Sequence, residues 1–400
     1  FHLSLILNLL EPGIITMDES EFMEKMRNKV YLFEKCRGLI SYVPIPDPEF
    51  YPTRLEPDIV DVIPMSPQQF LSYSAERDQE LKKYYKLQGQ IMDAIKKRDM
   101  ARLKKLKAIE FIQSTKLKSR QLCNFSYPDG LERSTSDLNA VWITKDLEDV
   151  HVKNLRIYGP KMAKLVHRLL TLPNKHMVYA WFKSNYGLYL IDAYLKHCGI
   201  STLLFSGDLG TDEKRAAVIA KYNADDNAHG EQYKVILVSG AGAMGISLFA
   251  IRHMHIFEAS INEFITVQAI GRGFRTHSHD QLPPEERNIQ VYRYFTCLPK
   301  NERGLVVTPD GELYPEDRST EEQMYTRGLA RQKSVEEVLD VMRRSAFDCR
   351  ESYNKAIKNC YEYTEAPPNR DDDYDFGEDP YREVSSEEPA EGEEEVVEED

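Results

Sequence analysis

The side chains of this 400-residue chain that invite a chemical reading lie between Val235 and Arg275. Gln268, Gly271, Arg272 and Arg275 recur at i, i+3, i+4 and i+7, the spacing that puts an amide and two guanidiniums on one face of a helix. Two such cations are costly to bury unless an anion meets them, and a nucleotide triphosphate is an anion of the right charge. Ahead of them Ser239, Gly240, Ala241, Gly242, Ala243, Met244 and Gly245 form a turn of small residues, where backbone N–H groups can approach a ligand closely.

The elements needed to position these residues can be read on either side. Val235–Val238 is short, apolar and β-branched, as a strand buried on both faces requires. Met254–Phe257 predicts a neighbouring strand, and Ser260-Ile-Asn-Glu263 has the S-x-x-E form of a capping box, which predicts that the arginine-bearing helix begins there. Upstream, helices are expected over Pro160–Leu172, Gly187–Cys198 and Thr211–Tyr222, alternating with strands over Met177–Phe182 and Thr202–Ser206. A last strand is expected over Ile289–Phe295. Alternation of this kind implies an α/β fold, a parallel sheet with helices on both faces and a ligand edge at the carboxyl ends of the strands.

The remainder is less informative. Leu3, Ile6, Leu7 and Leu10 mark a helix stopped by Glu11-Pro12-Gly13. Ile14-Ile-Thr-Met-Asp18-Glu19 imitates the strand and acidic pair of a Walker B motif, but no G-x-x-x-x-G-K-[ST] loop occurs in the chain, and Asp18 reads better as a helix N-cap. A Pro-rich extended segment follows. Ser66 then serves as N-cap with Pro67 in the first turn, opening a basic helical region to about Ser119. Its charges, Lys104 and Lys105 among them, are either a solvated face or a track for nucleic-acid phosphates. Residues 131–157 read as surface linker. His277 and His279 read as solvated loop residues, since no ligand set at metal spacing accompanies them. Ser319–Ser345 reads as helical, with an N-cap at Ser319 and a second start near Ser334.

Bulk properties narrow the class. Hydrophobic content is 42% and no apolar run is long enough for a membrane span. The six cysteines form no C-x-x-C pair, which fits a reducing, intracellular setting. The net charge of -13 is a property of the tail: residues 370–400 hold 16 acidic and 2 basic residues, a net of -14, which leaves the rest near +1. The tail is too polar to fold alone.

In the order strand, glycine turn, strand, helix, the pattern Gln268-x-x-Gly271-Arg272-x-x-Arg275 resembles motif VI of superfamily 2 helicases, and the turn ending Gly245-Ile246-Ser247 resembles their motif V. The opening FHLSLILNLLEPG resembles the segment after motif III in Swi/Snf-like ATPases. With Arg37-Gly-Leu-Ile-Ser-Tyr42, Arg275-Thr-His-Ser-His279 and Ala346-Phe-Asp-Cys349, the resemblance points to the helicases of large nucleocytoplasmic DNA viruses. That group includes the ATPase subunit of the poxvirus early transcription factor and nucleoside triphosphatase I. It implies that the chain is the C-terminal part of an ATP-dependent DNA, or RNA, translocase used in viral transcription. A preceding RecA-like domain would then hold ATP and Mg²⁺, and a viral RNA polymerase or transcription factor subunit is an implied partner. By the same resemblance Arg275 is the principal arginine finger and Arg272 its partner. Gln268, Gly242, Gly245 and Ser247 would contact nucleotide, and Ser206, Gly207 and Ser239 nucleic acid. Ser247 stands where many relatives have Asp or Asn.

The implied organisation is the end of a first RecA-like domain over 1–42, an extended segment, basic helical arm and linker over 43–158, a second RecA-like domain over 159–300, a helical extension over 301–362 and a disordered acidic tail over 363–400. Lacking Walker A and a credible Walker B, these 400 residues are expected to hydrolyse ATP negligibly alone. The competing expectation is a non-catalytic module derived from a helicase domain, which binds nucleic acid or polymerase.

Overall fold

The computed structural model describes residues 2–16, 18–25, 27–41, 48–113, 116–127, 152–240, 245–308 and 311–346. Tyr42, Gly242, the linker over 131–151, the end of the Ala346–Cys349 segment and the acidic tail lie outside the described residues. The chain divides into two compact units, Ile45–Glu336 and Phe1–Pro44 with Glu337–Asp400.

In the larger unit, six described strands, all parallel, make one sheet: β1 (Thr53–Pro64), β2 (Lys175–Ala180), β3 (Thr202–Phe205), β4 (Val235–Ser239), β5 (Ile251–Ile256) and β6 (Asn288–Cys297), ordered β1-β6-β5-β2-β4-β3. Successive side chains of a strand point to opposite faces, and the core divides accordingly. Val178, Ala180, Val235, Leu237, Tyr292 and Tyr294 belong to one apolar layer; Met177, Tyr179, Ile236, Val238, Ile289 and Val291 belong to the other. The chain leaves β2 for β3 and β4 on one side and for β5 and β6 on the other, so the sheet switches direction beside β2, where open α/β sheets bind ligands.

The helices, numbered through the chain, are α1 (His2–Leu10), α2 (Glu19–Lys25), α3 (Lys29–Cys36), α4 (Pro67–Lys96), α5 (Met100–Gln113), α6 (Leu117–Asn124), α7 (Val152–Tyr158), α8 (Pro160–Thr171), α9 (Leu188–His197), α10 (Asp212–Asn223), α11 (Glu263–Ile270) and α12 (Thr320–Ser345). Several start where a short polar side chain can accept from the first turn. Asp18 accepts from Glu21 N at 2.8 Å, Ser66 from Gln69 N at 3.0 Å and Thr211 from Lys214 N. In the smaller unit Leu7, Ile14, Ile15, Phe22, Leu32 and Val341 pack together.

Four features depart from the sequence reading. The extended segment after residue 48 becomes β1, a full member of the sheet beside β6. Val152–Tyr158, expected as linker, is helical. α12 is one helix with no restart, and Ser334 returns its hydroxyl to Ala330 O at 3.1 Å. The capping box forms at Ser319 instead of Ser260. Ser319 Oγ accepts from Glu322 N at 3.0 Å while Glu322 accepts from Ser319 N at 2.7 Å. At the other site Asn262 caps α11, and Glu263 is drawn into the protein to meet Arg293 at 2.7 Å.

A row of rings crosses β2, β5 and β6. His176 Nε2 donates to Leu172 O, His255 Nε2 donates to His176 Nδ1 at 3.0 Å, and the Tyr294 hydroxyl donates to His255 Nδ1 at 2.8 Å. With both rings neutral, the Nε2–H tautomer of each is the one that satisfies all three bonds. His253 stacks on His176 at 4.7 Å, and Arg168 lies over Tyr292 while pairing with Asp61 of β1. Burial holds His176 and His255 well below the usual imidazole range and His253 down to about 4.

Candidate functional site

The described loops that follow β4 and α11 are knitted together. Leu248 N donates to Arg272 O at 2.9 Å, Ala250 N to Ser278 O at 2.7 Å and Phe249 N to Asn223 Oδ1 at 2.9 Å. α11 stops at Ile270 and is capped by Gly271. Arg272 and Arg275 therefore sit in the turns beyond the helix and not on its face, which corrects the spacing argument. The helix closes at Ile270, and the turns that follow carry both arginines.

The two guanidiniums nevertheless share one edge. Arg275 Nη1 donates to Ser247 Oγ at 2.6 Å and its Nε to Gly271 O at 3.0 Å, so the head is aimed by two neutral acceptors. Ser247, expected to meet nucleotide, spends its hydroxyl on Arg275. Arg272 Nε is buried without a hydrogen-bond partner. Burial first, and the charge of Arg275 second, lower its pKa. Among the described residues neither arginine has a carboxylate partner, in contrast with Arg77, Arg168, Arg252 and Arg293, which are all ion-paired. Gln268 and Gly245 are exposed near this edge.

The candidate nucleic-acid residues are dispersed. Ser206 is buried and caps a short 3₁₀ turn over Gly207–Leu209 by accepting from Asp208 N at 3.3 Å, and the α-helix proper starts only at Asp212. Gly207 is exposed and Ser239 buried. Asp208 pairs with Lys183 at 2.6 Å, a contact that lowers its pKa. Lys104 and Lys105 are exposed on α5. The histidine loop is not uniformly solvated: His277 is exposed and pairs with Asp280, but His279 is only 2% exposed and donates from Nε2 to Ile251 O at 2.7 Å. No group of three or more described His, Cys, Asp or Glu side chains is arranged to hold a metal ion.

Sequence reasoning missed the buried charges. Lys161 on α8 is fully buried and pairs with Glu321 of α12 at 2.6 Å, with its ammonium 4.7 Å from the Phe257 ring. Glu258, just past β5, is buried and accepts from Trp181 N at 2.8 Å and Asn124 Nδ2 at 2.7 Å; burial raises its pKa. Neither pairing has a local sequence signal, since the partners are far apart in the chain.

Residues 160–277, which carry β2 to β5 and the arginine edge, match the family described as helicase conserved C-terminal domain. The chain has relatives among viral proteins. It is similar to a putative ATP-dependent RNA helicase of Acanthamoeba polyphaga mimivirus, 28% identical over 48% of this chain and 24% of that protein. It is also similar to a termination factor NPH-I homolog of African swine fever virus, 28% identical over 53% of this chain and 25% of the relative. The chain thus spans about a quarter of the length of these relatives. Among solved structures, the C-terminal part of the Fun30 ATPase domain aligns with 76% of this chain and 100% of its own, at 15% identity and a TM-score of 0.40. No helix among the described residues is long and apolar enough to cross a membrane.

Proposed function

We propose that this domain is the second motor half of an ATP-dependent nucleic-acid translocase acting on DNA in viral transcription, with Arg275 as the principal arginine finger and Arg272 as its partner. The observation that carries the reading is the pair itself: two cations on one loop edge, the first oriented by Ser247 and Gly271, the second with a buried orphaned Nε, and no described carboxylate for either. Such a pair is held for an anion supplied from outside the domain. The donor set suits the γ-phosphate of ATP and not Mg²⁺, which needs oxygen ligands from a preceding RecA-like domain. The relatives named for ATP-dependent helicase and termination-factor roles support the same reading.

In a protein joining this chain to such a domain, Arg275→Ala should lower nucleic-acid-stimulated ATP turnover by ~10³-fold or more, because a finger neutralises charge that develops in the transition state. Arg275→Lys should not rescue it, since an ammonium loses the fork held by Ser247 and Gly271. Turnover unchanged in Arg275→Ala would overturn the assignment. The 400 residues by themselves should show no stimulated turnover.

A further inference from the structure

Beside the switch in the sheet lies a pocket of about 210 Å³ that the arginine edge does not use. Its lining includes Arg120, Tyr179, Trp181, Glu258, Asn262 and Met324. Trp181 follows directly on β2. Its backbone N–H is fixed by Glu258, its ring lies against Gly240, and its side chain is 52% exposed. Tyr179 is 5% exposed, yet its hydroxyl is buried in the pocket wall with no hydrogen-bond partner.

We infer that this pocket receives one unstacked base of a single strand, with Trp181 as the stacking platform and the Tyr179 hydroxyl reading the base edge. The inference rests on the proposed nucleic-acid function. The volume falls below that of drug-sized sites and suits one flat ring system. The polar lining tells a base from a phosphate. Both Glu258 oxygens are taken by Asn124, Trp181 and Phe182, so the carboxylate offers a second anion only repulsion. Arg120, whose guanidinium lies over the Phe182 ring at 5.1 Å, and the Asn262 amide bring donors to the wall. A neutral ring bearing carbonyl or ring-nitrogen acceptors matches donors beside a spent carboxylate; a phosphate does not. Stacking on an aromatic face tolerates any base, as a strand-tracking surface requires.

The test uses the whole chain carrying Trp142→Phe, which leaves Trp181 as the sole indole. A single-stranded oligonucleotide should quench Trp181 fluorescence, and an oligonucleotide of the same length built of abasic residues should not. Trp181→Ala should weaken binding of the base-bearing strand by roughly ten-fold, within the range of one lost stack, and leave binding of the abasic strand unchanged. Trp181→Phe should recover most of the loss. Tyr179→Phe should keep the quench and narrow the differences among homopolymers. Both strands binding equally, with Trp181→Ala without effect, would overturn this inference alone and leave the pocket to another occupant, such as an aromatic side chain of a protein. Binding of neither strand would overturn the nucleic-acid reading and this one with it.

Discussion

Acid should unfold the sheet unit through its histidines, and the size of the effect follows from the structure. His253 and His279 are each held down to about 4 by burial, against an ordinary value of 6.5. A depressed imidazole pKa means that below pH 6.5 the unfolded chain binds protons that the folded chain refuses. Stability is therefore intact above about pH 6.5 and is lost as pH falls toward 4. At pH 5 the loss comes to about 2 kcal/mol for each of these two rings, and across the whole window to about 3.4 kcal/mol each. His176 and His255 are displaced in the same direction, by burial first and by the neighbouring imidazoles second. Against a typical stability of ~5–15 kcal/mol, the two rings together should remove about 4 kcal/mol at pH 5, a quarter of the margin or more. Urea unfolding by circular dichroism from pH 7.5 to 4.5 measures the slope, and His253→Gln isolates one ring. That variant should cost little at pH 7.5, since its contact with the Tyr292 hydroxyl is long at 3.4 Å, and should recover about 2 kcal/mol of the loss at pH 5. Ring nitrogen shifts of His176 and His255 should report Nε2–H tautomers throughout. Signals of the His253 or His279 rings titrating near pH 6.5 in the folded protein, or stability flat between pH 7 and 5, would refute the reasoning.

Three further outcomes are expected. Ser319→Ala should cost about 1 kcal/mol in urea melts and Ser260→Ala under about 0.5 kcal/mol, because only the first S-x-x-E closes a box. Gly187→Ala should destabilise by more than about 4 kcal/mol, since the new Cβ would stand 1.8 Å from Phe182 O, a backbone atom with nowhere to go. Ser247→Ala should leave the melting temperature nearly unchanged but reduce ATP turnover of the joined protein by about ten-fold or more, as Arg275 loses the charge-assisted bond that aims it; turnover equal to wild type would show that the bond does not position the finger.

What the sequence disclosed depended on how local the physics was. β4 was legible because a β-branched run buried on both faces needs no distant partner to be recognised, and β5 only over its apolar end, Met254–Ile256. Asp18, Ser66 and Ser319 were legible because a cap is completed within four residues. β1 was not. Its apolar residues alternate imperfectly and Pro52, Pro57 and Pro64 punctuate it, as suits a sheet edge, so only its pairing with β6 reveals a strand. The arginines were placed near the right edge for an incomplete reason: their spacing is helical, but the helix closes at Ile270, and what brings Arg275 to its position is a serine 28 residues upstream. His279 and Lys161 were invisible for the same cause, since each is buried by residues far along the chain.

The stretch that matches the helicase conserved C-terminal domain family, 160–277, closes before β6 begins and opens long after β1 ends. Cut to those limits, the polypeptide would keep four strands and lose the two that shelter the flank of β5. Tyr294 would no longer satisfy His255, Arg293 would no longer restrain Glu263, and an unprotected row of β5 amides and carbonyls would face solvent, inviting aggregation. The family match is thus smaller than what this chain must make in order to fold, and an expression boundary drawn at its limits would produce insoluble material.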